Sequence, residues 1–179
     1  MSSRTSGCVI SSEPGFELQP TLRGELVEVR PLRGDDYDAL YAVARDPLIW
    51  EQHPDDRYRE DVFGAFFAEH LGTGGALAVL DASTGEVIGT SRYHDYDPVR
   101  SEVEIGWTFL ARRCWGGAYN GELKQLMLGH AFRFVQTVLF VVAPGNIRSQ
   151  RAVEKLGAVR AGTRQDDVRG ERLVFSLRR

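Results

Sequence analysis

The stretch from residue 101 to residue 143 constrains the fold most. SEVEIGWTFL (101–110) alternates apolar and polar residues, the two-residue period of a strand with unlike faces. A Gly-containing turn follows. Residues 119–136 then carry Leu123, Leu126, Met127, His130, Ala131 and Phe134 at helical spacing. TVLFVVA (137–143) is a continuous apolar run, the pattern of a strand buried on both faces. Strand, helix and strand in that order require a sheet with helices packed on it.

The flanking sequence extends this plan. ELVEVRPL (25–32) alternates and predicts a first strand. Asp35 or Asp36 can cap a helix with Tyr37, Leu40, Tyr41 and Ala44 on its apolar face, ending near Asp46-Pro47. A second helix is predicted over about 58–71, with Val62, Phe63, Phe66 and Phe67 inward. ALAVLD (76–81) and EVIGTSRYH (86–94) flank ASTG and predict a hairpin. Asn146 can cap a short helix that Gly157 ends, and AVRAGTR with RLVFSLR closes the chain as a second hairpin. Residues 1–20, rich in Ser, Gly and Pro, are expected to be a flexible tail, and 21–179 a single α/β domain.

Composition excludes several classes. The formal net charge is −3, with no dense basic run to engage phosphates, so no nucleic-acid partner is expected. No apolar run has membrane-spanning length, and the N-terminus lacks the charged start and apolar middle of a secretory signal, so a cytoplasmic chain without a membrane partner is expected. Cys8 and Cys114 form no framework, and the four histidines are scattered, so no metal is expected.

Two pieces of sequence carry chemistry. In residues 102–110 strict alternation puts Val103, Ile105, Trp107 and Phe109 on a core face and Glu102, Glu104, Gly106 and Thr108 on the other. The paired carboxylates fit either a solvated strand face or a functional one. The turn from Arg112 to Asn120 leads straight into a helix. Its small residues and free N–H groups suit a pyrophosphate, with Arg113 adding charge; an ordinary strand-to-helix connection has the same look. No P-loop or dinucleotide fingerprint competes.

EIGWTFLARRCWGGAYNGELKQLML (104–128), followed by APGNIRSQRAVEKLGAV (143–159), resembles the GNAT superfamily. Within it the chain is similar to the branch of ribosomal-protein N-terminal acetyltransferases, over roughly residues 22–178. The resemblance implies a mixed, mostly antiparallel central sheet with splayed middle strands and flanking helices. It implies acetyl-CoA as cosubstrate, with no metal. Backbone amides of Trp115, Gly116, Gly117, Ala118, Tyr119 and Asn120 would hold the pyrophosphate. Trp107, Thr108 and Phe109 would pair with the pantetheine arm, and Asn146 would bond to it. Glu104 would be the general base, and Ser149 could protonate the leaving thiolate. Ala118 and Asn120 depart from the branch's small residues, and Val153 stands where many relatives carry a tyrosine acid.

The expected reaction is direct attack of a primary amine on the thioester, with Glu104 accepting the proton, and no covalent intermediate. Cys114 is therefore expected to be a packing residue. Trp50, Glu51 and His53 are candidate walls of the acceptor site, with Tyr93, His94 and Tyr96 opposite. The acceptor, a peptide N-terminus or a small-molecule amine, stays open, as does monomer against dimer. A non-catalytic acyl-CoA binder and a protein-interaction module are the alternatives.

Overall fold

The computed structural model describes residues 15–168 and 170–179. Eight strands form one sheet: β1 (Leu22–Arg23), β2 (Val27–Pro31), β3 (Ala76–Asp81), β4 (Val87–Asp97), β5 (Glu102–Leu110), β6 (Thr137–Val142), β7 (Val159–Asp166) and β8 (Gly170–Arg178). Their order is β1-β2-β3-β4-β5-β6-β8-β7. Each neighbouring pair is antiparallel except β5 and β6. Four α-helices flank the sheet: α1 (Tyr37–Ala44), α2 (Glu60–Gly72), α3 (Ala118–Ala131) and α4 (Ile147–Glu154).

Two apolar layers sandwich the sheet. On one side α3 buries Leu123 and Met127 against Val29, Leu77, Val103 and Val138. On the other, α1 and α2 bury Leu40, Phe63 and Phe67 against Ala76, Ala78 and Phe109. α1 spans its apolar pattern from Tyr37 to Ala44, but the Asp36 side chain does not cap it. The Asp36 carboxylate instead receives both Arg30 guanidinium nitrogens (2.7 and 2.8 Å) and the Arg33 N–H, which fixes the turn before the helix. α3 ends at Ala131, five residues before its predicted limit, in a turn closed by N–H groups of Phe132 to Val135.

Three expectations change. Residues 15–20 of the expected tail lie on the domain. Phe16 is buried among Tyr93, Tyr96, His130 and Phe134 and Leu18 packs against the same layer, which gives the segment a reason to dock. Residues 1–14 and Cys8 with them lie outside the described residues. β6 is buried on one face only: Val138, Phe140 and Val142 are buried, while Leu139 and Val141 are half-buried. Strict alternation in β5 also fails, for a reason taken up with the site.

The α2 side of the sheet holds a buried histidine. Thr90 Oγ1 donates to the Leu77 carbonyl (2.6 Å), so the His70 Nε2–H must be the donor to Thr90 (2.9 Å). Nδ1 is then a bare acceptor among apolar groups. Burial, helped by the nearby Arg92 and Arg57 charges, pushes the imidazole down to about 3. The unfolded chain takes up this proton near pH 6.5 and the native chain does not, so stability is lost as pH falls below 6.5. Between pH 7 and 5 this group should remove about 2 kcal/mol. Urea unfolding at both pH values is expected to show that extra loss in the native sequence and not in His70→Leu; equal losses would refute it.

Candidate active site

The sheet opens in its middle. β5 and β6 pair only at Glu102–Thr137, Val103–Val138 and Glu104–Leu139. Beyond Glu104, β5 stays with β4 and β6 stays with β8, so the two strands part. A cleft of about 220 Å³ fills the gap. Its walls are Glu104 to Phe109 on one side and Phe140 to Ala143 on the other. Asn120 and Lys124 of α3 reach it, as do Asn146, Ser149 and Val153 around α4.

A β-bulge shapes the β5 wall. Thr90 pairs with Phe109 and Arg92 with Gly106, so Ser91 alone faces two residues, Trp107 and Thr108. Trp107 takes φ 50°, a conformation rare for a bulky side chain. The Arg92 guanidinium lies 3.6 Å over its ring and the His94 ring meets it edge-on at 4.5 Å, which holds it there. The bulge inverts the alternation. Val103 and Ile105 face the α3 layer, but Trp107 and Phe109 pack with the α1/α2 layer. Thr108 turns to the α3 side, where its hydroxyl meets Lys124 Nζ at 2.6 Å and Ser91 Oγ at 2.7 Å.

Glu104 sits where the strands begin to part. It is 2% exposed and not on a wet face. One carboxylate oxygen lies 3.0 Å from His94 Nε2 and the other 3.1 Å from Arg164 Nη1 of β7. His94 Nδ1 in turn approaches Asp95 at 3.3 Å, and Arg164 approaches Asp95 at 3.6 Å. Gly106 makes room: a Cβ there would come within 3.3 Å of His94 Nε2. His94, Asp95 and Glu104 have the mutual spacing of metal ligands, but the cation already among these carboxylates is Arg164. Glu102 is apart from this group, half-buried and paired with Arg100 at 3.4 Å.

At the far end of β5 the turn delivers α3. Gly116 supplies the left-handed residue (φ 69°) that the turn needs. Gly117 caps the helix without a side-chain bond, and no acid stands in the first turn, so the N–H groups of Ala118 to Asn120 are left for an anion. Arg113 does not join them. It pairs with Glu86 at 2.7 Å, and Arg112 with Asp46, both on the surface. Trp115 Nε1 donates to the Leu110 carbonyl, and the Tyr119 hydroxyl to Asp81. Cys114 is buried, which pushes its thiol up. Asn146 Oδ1 accepts the Ser149 N–H at 3.0 Å, so the carbonyl end of that amide caps α4.

The loop after α1 covers the cleft. Trp50 is a buried anchor, donating to the Ala44 carbonyl and packing on Phe109, with one edge on the cleft. His53 lines the cleft beside Pro54 and Arg57; Glu51 is exposed and does not. Tyr93 lies in the α3 layer and Tyr96 against Phe16, so of the three opposite-wall candidates only His94 meets the site. Asp166 and Arg172 of the last hairpin complete the lining. Lys124, Arg164, Asp166 and Arg172 escaped sequence reasoning. The one local signal was a lysine on the α3 stripe that links Asn120, Met127 and Ala131.

A family model described as Acetyltransferase (GNAT) domain matches residues 27–159. The chain belongs to the GNAT acetyltransferases. An acetyltransferase structure from T. thermophilus is 30% identical, covering 88% of each chain at a TM-score of 0.73. The GCN5-related N-acetyltransferase of Brucella melitensis shares the fold at 20% identity, over 89% of this chain and 79% of that one, with a TM-score of 0.79. RimJ of Mycobacterium smegmatis, solved with CoA-disulfide, does so at 16% identity over 89% and 86%, with a TM-score of 0.68. No curated protein sequence matches the chain. Among the described residues no helix is long and apolar enough to cross a membrane.

Arg148 ties the cover to this GNAT cleft. Its guanidinium lies 4.0 Å over the Trp115 ring and donates to the Ile49 carbonyl at 2.8 Å, and its main-chain N–H meets Gln52 Oε1 at 3.0 Å. Arg148→Ala is expected to speed hydrogen exchange of amides in residues 47–54 by roughly tenfold while the sheet amides stay protected. Unchanged exchange in the loop would show that the Arg148 side chain does not hold it.

Proposed function

We propose that this GNAT chain transfers an acetyl group from acetyl-CoA to a primary amine by direct attack in a ternary complex. One observation carries the reading: a buried carboxylate, Glu104, stands at the closed end of the cleft between β5 and β6, where an arm entering from the α3 turn would end. The uncapped N–H groups opening α3 suit the pyrophosphate of CoA. Past Glu104 the cleft edge of β5 has no strand partner, so Trp107 to Phe109 are available to pair with the pantetheine arm.

An ammonium group cannot attack a thioester. Glu104 takes its proton, directly or through a water, and His94 on the other side of the carboxylate offers an onward path. Arg164 orients the carboxylate between turnovers. The amine then attacks the acetyl carbonyl, and a main-chain N–H on the open edge of β5 stabilises the oxyanion. The thiolate leaves towards Ser149, whose side chain lines the cleft. Asn146 has its amide nitrogen left to meet the arm. The acceptor enters between His53 and Arg57 on one side and Asp166 and Arg172 on the other. That mixed rim accommodates a peptide N-terminus or a small-molecule amine.

Calorimetry with acetyl-CoA, followed by free-thiol release against N-terminal peptides, polyamines, amino sugars and amino acids, tests the reading. Turnover on one amine class is expected. Glu104→Gln should lower kcat by about 10²-fold or more and leave CoA affinity within about twofold. Binding without turnover on any amine would favour a non-catalytic acyl-CoA binder, and an undiminished Glu104→Gln rate would remove Glu104 as the base.

A further inference from the structure

One buried group in the cleft has no part in the transfer chemistry. Lys124 is 5% exposed, one helical turn after Asn120 on α3. Its Nζ donates to Thr108 Oγ1 at 2.6 Å and lies 5.8 Å from the Phe140 ring centroid. Thr108 belongs to β5 and Phe140 to β6, and both line the cleft with Lys124. The amine therefore sits on the floor of the gap, between the parted strands.

No carboxylate of the described residues pairs with it. The ion pairs around the cleft involve Arg57, Arg164 and His94, and burial alone pushes the amine down to about 7. An ammonium has three N–H donors, and Thr108 accepts one. Leaving the others bare in a desolvated place is costly, and an apolar side chain of the same length would pack there without that cost. The arrangement makes sense with a ligand that brings acceptor oxygens. That ligand is not the attacking amine, which a neighbouring ammonium would repel. A chain of amide and thioester carbonyls is the fitting partner.

Thr108 fixes where the donor points. The bulge turns its hydroxyl to the α3 side, and Ser91 Oγ supports it from β4 at 2.7 Å. Ser91, Thr108 and Lys124 thus form a polar line that crosses beneath the cleft. We infer that Lys124 is a donor-binding residue whose Nζ, held by Thr108, donates a hydrogen bond to a carbonyl oxygen of the acyl thioester's pantetheine arm. The inference rests on the donor half of the function proposed above.

The test compares two probes by calorimetry. CoA carries the arm, and adenosine 3′,5′-bisphosphate has the nucleotide end without it. Lys124→Met is expected to weaken CoA by about tenfold or more and to leave the bisphosphate unchanged, since only CoA presents carbonyls to the floor. Its melting temperature should equal or exceed that of the native protein. Thr108→Val, which frees the amine but keeps it, should weaken CoA less and again spare the bisphosphate. If Lys124→Met does not fold, Lys124→Gln enters the same comparison. Unchanged CoA affinity, or equal loss for both probes, would overturn the assignment. Failure of the native protein to bind CoA would remove the donor site as a whole, whereas CoA binding with no amine turnover would overturn only the transfer reading.

Discussion

The site depends on a single extra residue in β5. With Trp107 and Thr108 both set against Ser91, the strand bends and reverses its faces halfway along. β5 holds β6 through three residue pairs and parts from it past Glu104, and the bulge that follows at Trp107 and Thr108 turns β5 further from its regular course. The left-handed conformation of Trp107 costs of order 1–3 kcal/mol, and the Arg92 and His94 contacts to its ring help to offset this. His94, which helps to hold the bulge, also meets Glu104, so the shape of β5 and the placing of its carboxylate share one side chain.

Glu104 is held from two other strands. His94 comes from β4, and Arg164 from β7, two strands beyond β6. The last hairpin reaches back over the cleft to do this, and Asp166 and Arg172 come with it to the rim. Arg164 and His94 meet the two oxygens of the one carboxylate, so it is fixed from both sides. Gly106 is the condition for this contact, since any side chain there would press on the imidazole.

Much of this plan was legible in the chain. The hydrophobic periods located the strands and helices, because one-sided burial writes its period into the sequence. Gly116, Gly117 and Asn146 marked their turns through local backbone demands. Glu104 stood out by its place in a motif. The bulge was not legible: two residues facing one is a property of the pair of strands, and β5 alone alternates without a break. Arg164 was hidden for the same reason, as its meaning lies in a contact over 60 residues of chain, and His94 showed as a candidate wall without its contact to Glu104. Arg113 was named for the pyrophosphate from its position in the turn, and its surface pairing with Glu86, the residue before β4, is likewise a contact that one segment does not show.

The cleft is sorted by charge along β5. Its closed end holds the buried carboxylate; four residues on, roughly 13 Å of extended chain, its floor holds an amine with no acid of the described residues beside it. In the proposed transfer a cationic acceptor is drawn to the first and not to the second. A thioester arm with uncharged carbonyls has the reverse preference. In the proposed transfer the two substrates are thereby kept to separate ends. A transfer without a covalent intermediate relies on such sorting, since what the protein then contributes is the relative position of two reactants and the removal of one proton.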